Sequence, residues 1–555
     1  MIDTRGDQRN VLTADYVIVG GGSAGCVVAS RLSEDRGVSV ILIEAGGEAD
    51  SFLVRMPAGM SRLIGNARYD WKYPSEADPS IAGRRFIWSG GKLLGGGSSI
   101  NGQVYIRGSR GDFDYWADVG CTDWNFDACL PYFRRAEDFA GGANAFHGRG
   151  GPLAVSHQRD PHPLSHAFVA ACASQGLPTL DDYCGGDQYG AFLSLATQRD
   201  GWRCSTAHGY LASARQRENL RVLTNGIAER IVFEGKRAAG VELVRNGERL
   251  RVSARREVIV SAGAMGSPAL LMRSGVGPAA QLRRFGIHVV ADRAQVGQNL
   301  QEHVGVGLNK FVNVPTYNSQ MAPWQIAGHF ANYLLRKRGP MATPAVQAMA
   351  CAKTRPDLDE PDVQLHFLPL SYDITPEVEC AALAQMTRQP TAMVTANVCH
   401  PFSRGSVQLQ GPDASALPLV SHQLLGDARD VDTLVGACKL IERLFAAPPL
   451  RRFVSGERMP APLPASDAVW AQFVREHANV CYHPVGTCRM GSDDEAVLDP
   501  TLAVRGVSGL RVVDASVMPR LLSANTNAAA VMIGERGSDF IRGRTLARAA
   551  TLELQ

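Results

Sequence analysis

The sequence predicts an α/β chain that opens on a parallel strand, a glycine turn, a helix and a second strand. Three observations carry this. Tyr16 to Val19 is an aromatic and β-branched run, as a strand buried in a parallel sheet requires. Gly20, Gly22 and Gly25 follow it at once as G-x-G-x-x-G, with Ser23 and Ala24 inside the turn, and Cys26 to Ser33 continues as a helix. A second apolar run, Val38-Ser-Val-Ile-Leu-Ile43, ends in Glu44.

Each element of this unit has a chemical reason. Gly20 permits a tight turn, Gly22 lets a pyrophosphate approach the backbone, and Gly25 lets the helix pack closely on the strand. The helix N-terminus offers free N–H groups and a positive dipole end. Glu44 stands roughly 20 residues beyond the turn, where a carboxylate accepts both ribose hydroxyls of an adenosine. The pattern therefore predicts a dinucleotide site. Glu44 argues against NADP, whose extra phosphate it would repel, but the motif does not separate FAD from NAD.

The bulk properties bound the rest. At 555 residues the chain is long enough for roughly two to four domains. With 45% hydrophobic and 20% charged residues it is globular rather than disordered. A net charge of +3 without a basic run gives no footprint for nucleic acid. Met1 to Thr13 is polar and lacks the apolar core of a signal peptide, and no uninterrupted apolar stretch is long enough for a membrane span. The twelve cysteines are scattered from Cys26 to Cys488, with neither a disulfide-framework pattern nor zinc-like spacing. These features imply a cytoplasmic location with reduced thiols. His162 and His166 are spaced for one helix face, yet no third ligand accompanies them, so no metal is expected.

Two further glycine-rich segments extend the reading. Gly91-Lys-Leu-Leu-Gly-Gly-Gly-Ser-Ser-Ile-Asn-Gly-Gln-Val-Tyr-Ile-Arg-Gly108 contains a run of N–H groups, Gly95 to Ser99, able to curl round an anion or a flat ring. Gly263-Ala-Met-Gly-Ser-Pro-Ala-Leu-Leu-Met-Arg-Ser-Gly-Val-Gly277 lies between a strand, Val258 to Ser261, and a helix, Pro268 to Arg273. It repeats the logic of a phosphate-side loop, or is a plain strand-to-helix turn. Near the C-terminus stand Cys481-Tyr-His-Pro-Val-Gly-Thr-Cys-Arg-Met-Gly491, the strand Leu510-Arg-Val-Val-Asp-Ala-Ser516, and Ala524-Asn-Thr-Asn-Ala-Ala529.

Together these segments resemble the glucose–methanol–choline (GMC) oxidoreductases over nearly the whole chain, closest in look to the bacterial choline and alkanol dehydrogenases. The resemblance implies FAD as cofactor and an FAD-binding Rossmann-like domain built from discontinuous segments, residues 12–155, 215–310 and 480–545. It implies a substrate domain, residues 156–214 and 311–479, with an antiparallel sheet and flanking helices. It places Leu94, Gly95, Ser99, Asn101 and Gly102 beside the flavin and its pyrophosphate, and Ala228 on the adenine side. Asp514, Ala515, Thr526 and Ala528 become candidate cofactor contacts. Some members carry a histidine in the first glycine segment that joins the flavin covalently. Ile100 stands there, so noncovalent FAD is expected. In the family the segment from Pro57 to Trp88 covers the flavin. Trp71 is either a neighbour of the isoalloxazine or an ordinary core aromatic.

By the same resemblance His483 is the catalytic histidine and Asn527 the second active-site residue. Alcohol oxidation removes a hydride from carbon and a proton from oxygen, and a histidine, with its unperturbed pKa of about 6.5, suits the proton. The expectation is a primary alcohol oxidised to an aldehyde, with electrons passed to a quinone or another acceptor. Rivals are an oxidase using O₂, and a lyase or photodecarboxylase on the same fold. A quinone acceptor implies loose docking to the inner membrane, although no amphipathic anchor stands out in the sequence. Choline would call for a carboxylate or an aromatic cage, and the sequence places neither. In the substrate domain, Asp362 to Leu368 and Thr391 to Thr395 read as strands, and Pro401 to Leu409 as a turn into a strand. Asp430 to Leu444 reads as an amphipathic helix burying Val431, Leu434, Val435, Cys438 and Ile441.

Overall fold

The computed structural model describes residues 11–372 and 386–546; residues 1–10 of the polar opening and Cys380 lie outside the described residues. In chain order the strands that build the two main sheets are β1 (Val11–Val19), β2 (Val40–Ile43), β3 (Leu220–Leu223), β4 (Gly226–Glu234), β5 (Arg237–Arg245), β6 (Glu248–Val260), β7 (Val304–Val312), β8 (Ala348–Ala352), β9 (Val363–Leu368), β10 (Thr391–Val398), β11 (Val454–Met459), β12 (Asn479–Val480) and β13 (Leu510–Val512). The helices that matter below are α1 (Ser23–Leu32), α2 (Phe126–Ala136), α3 (Gly263–Arg273), α4 (Pro323–Arg336), α5 (Ala428–Ala446) and α6 (Asn527–Ile541).

The first sheet has the order β3-β2-β1-β6-β5-β4, with β13 also on β6. β3, β2, β1, β6 and β13 run parallel, and β4 to β6 form an antiparallel meander. β6 carries β5 along its first half and β13 on Val258 to Val260. Separate passes of the chain therefore meet in one sheet. All four residues of β2 are buried, which explains its unbroken apolar run.

The second sheet, β8-β9-β10-β7-β11 with β12 on β7, is antiparallel throughout. α5 lies on it, with Val431, Leu434, Val435, Cys438 and Ile441 buried. The boundary expected at residue 310 falls inside β7. Val304, Val306 and Leu308 pack with Val394 and Ala396 of β10 in the core of the second sheet, so the chain has left the first sheet before β7 begins. The boundary expected at 155/156 likewise falls inside the strand Leu153–His157.

Small residues let the dinucleotide half close up. A Cβ on Gly25 would stand 1.9 Å from the Gly20 carbonyl oxygen, so only glycine fits where α1 meets the turn. A Cβ on Gly534 would come within 2.9 Å of Val27 and 3.0 Å of the Ala24 carbonyl oxygen, so α6 lies directly against α1. One buried carboxylate fixes that contact. Glu535 accepts from the Arg31 guanidinium at 2.7–3.0 Å, from Arg135 of α2 at 2.6 Å and from the Tyr210 hydroxyl at 2.6 Å. Its side chain is fully buried, while both arginines are mostly buried. Glu535→Ala would strand these donors. The expected cost is about 3–5 kcal/mol of unfolding free energy in urea or guanidinium titrations; a loss below about 1 kcal/mol would show that the hub does not hold α6.

Candidate active site

Between the two sheets lies a cavity of about 990 Å³. At one end the glycine turn faces it. Gly20 has φ +103°, and a Cβ there would sit 2.3 Å from the Ser261 carbonyl oxygen. A Cβ on Gly22 would meet nothing nearer than 3.8 Å, so its backbone faces open space at the N-terminus of α1. The second glycine loop stacks on the first. The Gly95 N–H donates to the Gly21 carbonyl at 2.7 Å, and Gly96, with φ +51°, would place a Cβ 2.7 Å from the Gly22 Cα.

Of the expected cofactor contacts, Gly20, Gly22, Ser23, Ala24, Glu44, Trp71, Asn101, Gly102, Ala228, Asp514, Ala515 and Thr526 line this cavity, and Ile100 does too. Gly25, Leu94, Gly95, Ser99 and Ala528 do not. Gly25 is spent on packing against Gly20, and Leu94 is packed under Gly21. The Gly95 N–H is committed to Gly21, the Ser99 hydroxyl donates to the Leu94 carbonyl at 2.7 Å, and Ala528 is buried in the first turn of α6. These five shape the cradle from behind. The segment after β6 is a strand-to-helix turn, and its residues Ser261 to Gly266 line the cavity. Trp71 stacks on Tyr73 at 5.9 Å, with the Lys92 ammonium 4.8 Å from its ring.

Two carboxylates organise this end. Glu44 accepts the Gly21 N–H at 2.7 Å and the Gly46 N–H at 2.8 Å, one on each oxygen, leaving each a further lone pair for the cavity. Burial pushes its carboxyl up to about 7, against the pull of those N–H groups. Asp514, at the end of β13, accepts from the Gly263 N–H and the Ser267 hydroxyl on one oxygen and from the Ser516 N–H on the other. It thereby ties β13 to the start of α3.

At the other end, strand pairing builds a histidine site. β7 and β12 pair at Val304 and Val480, which brings His303, just before β7, beside His483, just after β12. Tyr482 adopts a left-handed turn with φ +63°, a conformation costing roughly 1–2 kcal/mol for a residue with a Cβ. Glu302 holds the turn: its carboxyl accepts the Cys481 N–H at 3.2 Å and the His483 N–H at 2.8 and 2.9 Å. Burial raises this carboxyl to about 8, while the N–H donors pull it down.

The hydrogen bonds assign the protons on both imidazoles. His303 Nε2 faces the carbonyl oxygens of Leu522 at 2.9 Å and Cys399 at 3.2 Å, so it carries the hydrogen. Burial pushes His303 down to about 4, so the ring is neutral near pH 7 and its Nδ1 is bare. His303 Nδ1 lies 2.9 Å from His483 Nδ1, which must then be the donor. Burial, with His303 and His366 nearby, drives His483 well below 6.5, so it too is neutral and its Nε2 is a bare acceptor. The Asn525 amide nitrogen stands 3.0 Å from that Nε2 and donates to it.

The structure thus places Asn525, not Asn527, beside His483. Asn527 begins α6, and its side-chain oxygen accepts from the Ser23 hydroxyl at 2.8 Å, at the glycine-turn end. The loop carrying Asn525 is fixed from several sides. Asp112 accepts the Ser523 N–H and hydroxyl, Gln364 donates to the Ser523 carbonyl, and Gln301 accepts the Leu521 N–H. His366 and Asn397, from β9 and β10, complete the wall near His483. His303, Glu302, Asn525, His366 and Asn397 were not singled out by sequence. A signal existed only for Asn525: the apolar run from Ala528 makes Thr526 and Asn527 the start of a helix, which leaves the other asparagine free for the pocket.

The chain matches the GMC oxidoreductase family over residues 14–305 and again over residues 401–534. It belongs to that family. It is 39% identical over 537 residues to an oxygen-dependent choline dehydrogenase of Brucella canis, covering 96% of each chain, and 40% identical over 540 residues to one of Rhizobium etli, again covering 96% of each. Among solved structures it resembles pyridoxine 4-oxidase from Mesorbium loti, with TM-score 0.84, 33% identity and coverage of 94% and 98%. It also resembles a single-residue variant of formate oxidase from Aspergillus oryzae, with TM-score 0.88, 26% identity and coverage of 96% and 99%.

This GMC oxidoreductase is a flavoprotein, and FAD is its cofactor. The residues present fit it. The glycine loops leave backbone exposed where a diphosphate needs N–H donors, Glu44 keeps lone pairs for a ribose, and the Gly226 to Ala228 backbone closes the far end. All eleven cysteines among the described residues are free. Among the described residues no helix is long and apolar enough to cross a membrane. His162 caps the helix Pro163–Ser174 through Nδ1, a structural role.

Proposed function

We propose that the chain oxidises an uncharged, apolar primary alcohol to its aldehyde. The observation that carries this is the bare Nε2 of His483 with the Asn525 amide beside it at the inner end of an apolar cavity. FAD supplies the hydride acceptor. The substrate hydroxyl replaces the hydrogen bond between Asn525 and His483: Nε2 accepts the hydroxyl proton as the C–H bond breaks, while the Asn525 N–H, released from Nε2, donates to the same oxygen and fixes its direction. His303 holds His483 in the tautomer with Nε2 free, and Glu302 holds its backbone. Burial excludes water from the developing charge. Ile100 has no nucleophilic atom, in keeping with noncovalent FAD.

The choice of alcohol rests on the lining. Met321, Ile326, Phe330, Met341, Leu368 and Leu370 line the same cavity as His483. The carboxylates that line the cavity among the described residues are Glu44 and Asp514, both engaged at the cradle. Glu302, the carboxyl nearest His483, is spent on backbone N–H groups and does not line the cavity, so a trimethylammonium group finds no free carboxylate there, and the reading favours an uncharged alcohol over choline. The electrons pass on to a quinone or another acceptor. The oxidases among the structural relatives support O₂ as the alternative, and reoxidation rates of the reduced protein with each acceptor decide between them.

Anaerobic mixing with alkanols, aryl alcohols and choline tests the reaction. Bleaching of the yellow flavin by the apolar alcohols and not by choline is expected. Bleaching by choline alone would overturn the substrate class, and no bleaching by any alcohol would overturn the reaction. His483→Ala should lower the bleaching rate by about 10²–10⁴-fold and keep its FAD. Asn525→Ala should cost more than Asn527→Ala; the reverse order would return the role to Asn527.

The pH dependence follows from the sign of the shift. His483 works unprotonated and is held below 6.5, so kcat/KM rises with pH only below 6.5 and is level through neutrality. An acid limb centred above 6.5 that persists in Glu302→Gln would contradict a neutral His483.

A further inference from the structure

Helix α4 has an unusual face. Of its residues only Tyr333 is buried. At 100° per residue, Trp324, Ala327, Phe330, Ala331, Leu334 and Leu335 share one side, and every one of them is exposed. Trp324 is 75% exposed and Leu335 83%. A soluble helix turns such a stripe inward; here the stripe faces out and Gln325, His329 and Asn332 lie on the other side. Phe52 extends the patch, its ring 5.7 Å from that of Phe330, and Leu53 beside it is exposed.

The charge carried by the segments that form the patch has one sign. Residues 51–69 and 303–356 contain no Asp or Glu. Arg55, Arg62 and Arg336 are exposed in these segments, with Lys337 and Arg338 directly after the helix. The nearest recorded counter-ion is Asp160, which pairs with Arg338 at 3.1 Å.

We propose that α4 is a membrane-interface helix that docks the protein onto an anionic lipid surface. An apolar stripe bearing an outward tryptophan, bordered by arginines and free of carboxylates, matches acyl chains below and acidic headgroups above. A second copy of this chain fits the face less well. It would set Arg55, Arg62 and Arg336 of two copies near one another with no acid from these segments between them. Docking also orients the cavity. Ile326, His329 and Phe330 of the same helix line it, together with the exposed Met321, so docking brings the rim of the cavity next to the bilayer. Resting on the reaction proposed above, the apolar alcohol, and a quinone where that is the acceptor, then enter from lipid.

Flotation of the FAD-loaded protein tests the docking without reference to turnover. The vesicles are phosphatidylcholine alone and phosphatidylcholine with phosphatidylglycerol in a two-to-one ratio. The protein should float with the anionic vesicles, less with the neutral ones and less at high salt. The double variant Trp324→Glu, Leu335→Glu, whose residues do not line the cavity, should keep its flavin and lose binding by at least about tenfold. Failure to float with either vesicle overturns the proposal, as does a double variant that binds like the parent. A dimer in solution that this variant dissolves would assign the face to a second copy instead. If the vesicle result holds and no alcohol bleaches the flavin, the docking stands and the reaction falls.

Discussion

The hydrogen bond between the two Nδ1 atoms of His303 and His483 sits where passes of the chain far apart in sequence meet. His303 precedes a central strand of the second sheet. His483 follows the short strand that pairs with it on the chain's last return. The Leu522 carbonyl, which receives the far side of His303, belongs to the loop that also carries Asn525. Because a carbonyl can only accept, the direction of every hydrogen in this series is set from that end. Neutral His303 must accept, neutral His483 must donate through Nδ1, and its Nε2 is left without a hydrogen, an acceptor that the Asn525 amide occupies. The protein thereby supplies a base by packing rather than by a charged partner. Three buried imidazoles close together also resist protonation of any one of them.

That polarity needs precise placement, and the fold provides it in two layers. Close glycine contacts at Gly20, Gly25 and Gly534 seat α1 against the sheet and α6 against α1, and the buried Glu535 locks them. α6 begins at Asn527, so the loop before it is anchored at one end by the helix. It is held along its length by Asp112, Gln301 and Gln364. The glycine cradle and the histidine site are thus two ends of one cavity, each built from segments distant in sequence. Glu302 offsets the strain at Tyr482 with its hydrogen bonds to the flanking N–H groups, which is why an acidic residue sits where burial disfavours its charge.

Much of the fold was legible because its signals are local. The apolar run of β2, the G-x-G-x-x-G turn and the stripe of α5 are each decided within a few residues, and they appear where the sequence put them. The cradle lining from Gly20 to Glu44 was legible for the same reason, and the rest, from Asn101 to Thr526, through the resemblance of its segments to the family. What was not legible depends on tertiary pairing. Gly95 and Ser99 look like ligand contacts in sequence, yet the structure spends them on the neighbouring loop. Asn525 and Asn527 are two residues apart with the same side chain, and only the start of α6 separates their roles. His303 and Glu302 carry no local motif; their importance arises when β7 pairs with β12. The outward stripe of α4 was missed because amphipathic patterning does not say which side faces the core.

The central claim is the protonation pattern of the paired imidazoles, and selective ¹⁵N-histidine NMR reads it directly. With the His483 signals identified by difference against His483→Gln, the account predicts a neutral ring with Nδ1 protonated and Nε2 bare from pH 6.5 to the alkaline side of neutrality. A doubly protonated His483 in that range, or a neutral ring with its hydrogen on Nε2, would contradict it, because the cavity would then face a donor where the reaction needs an acceptor.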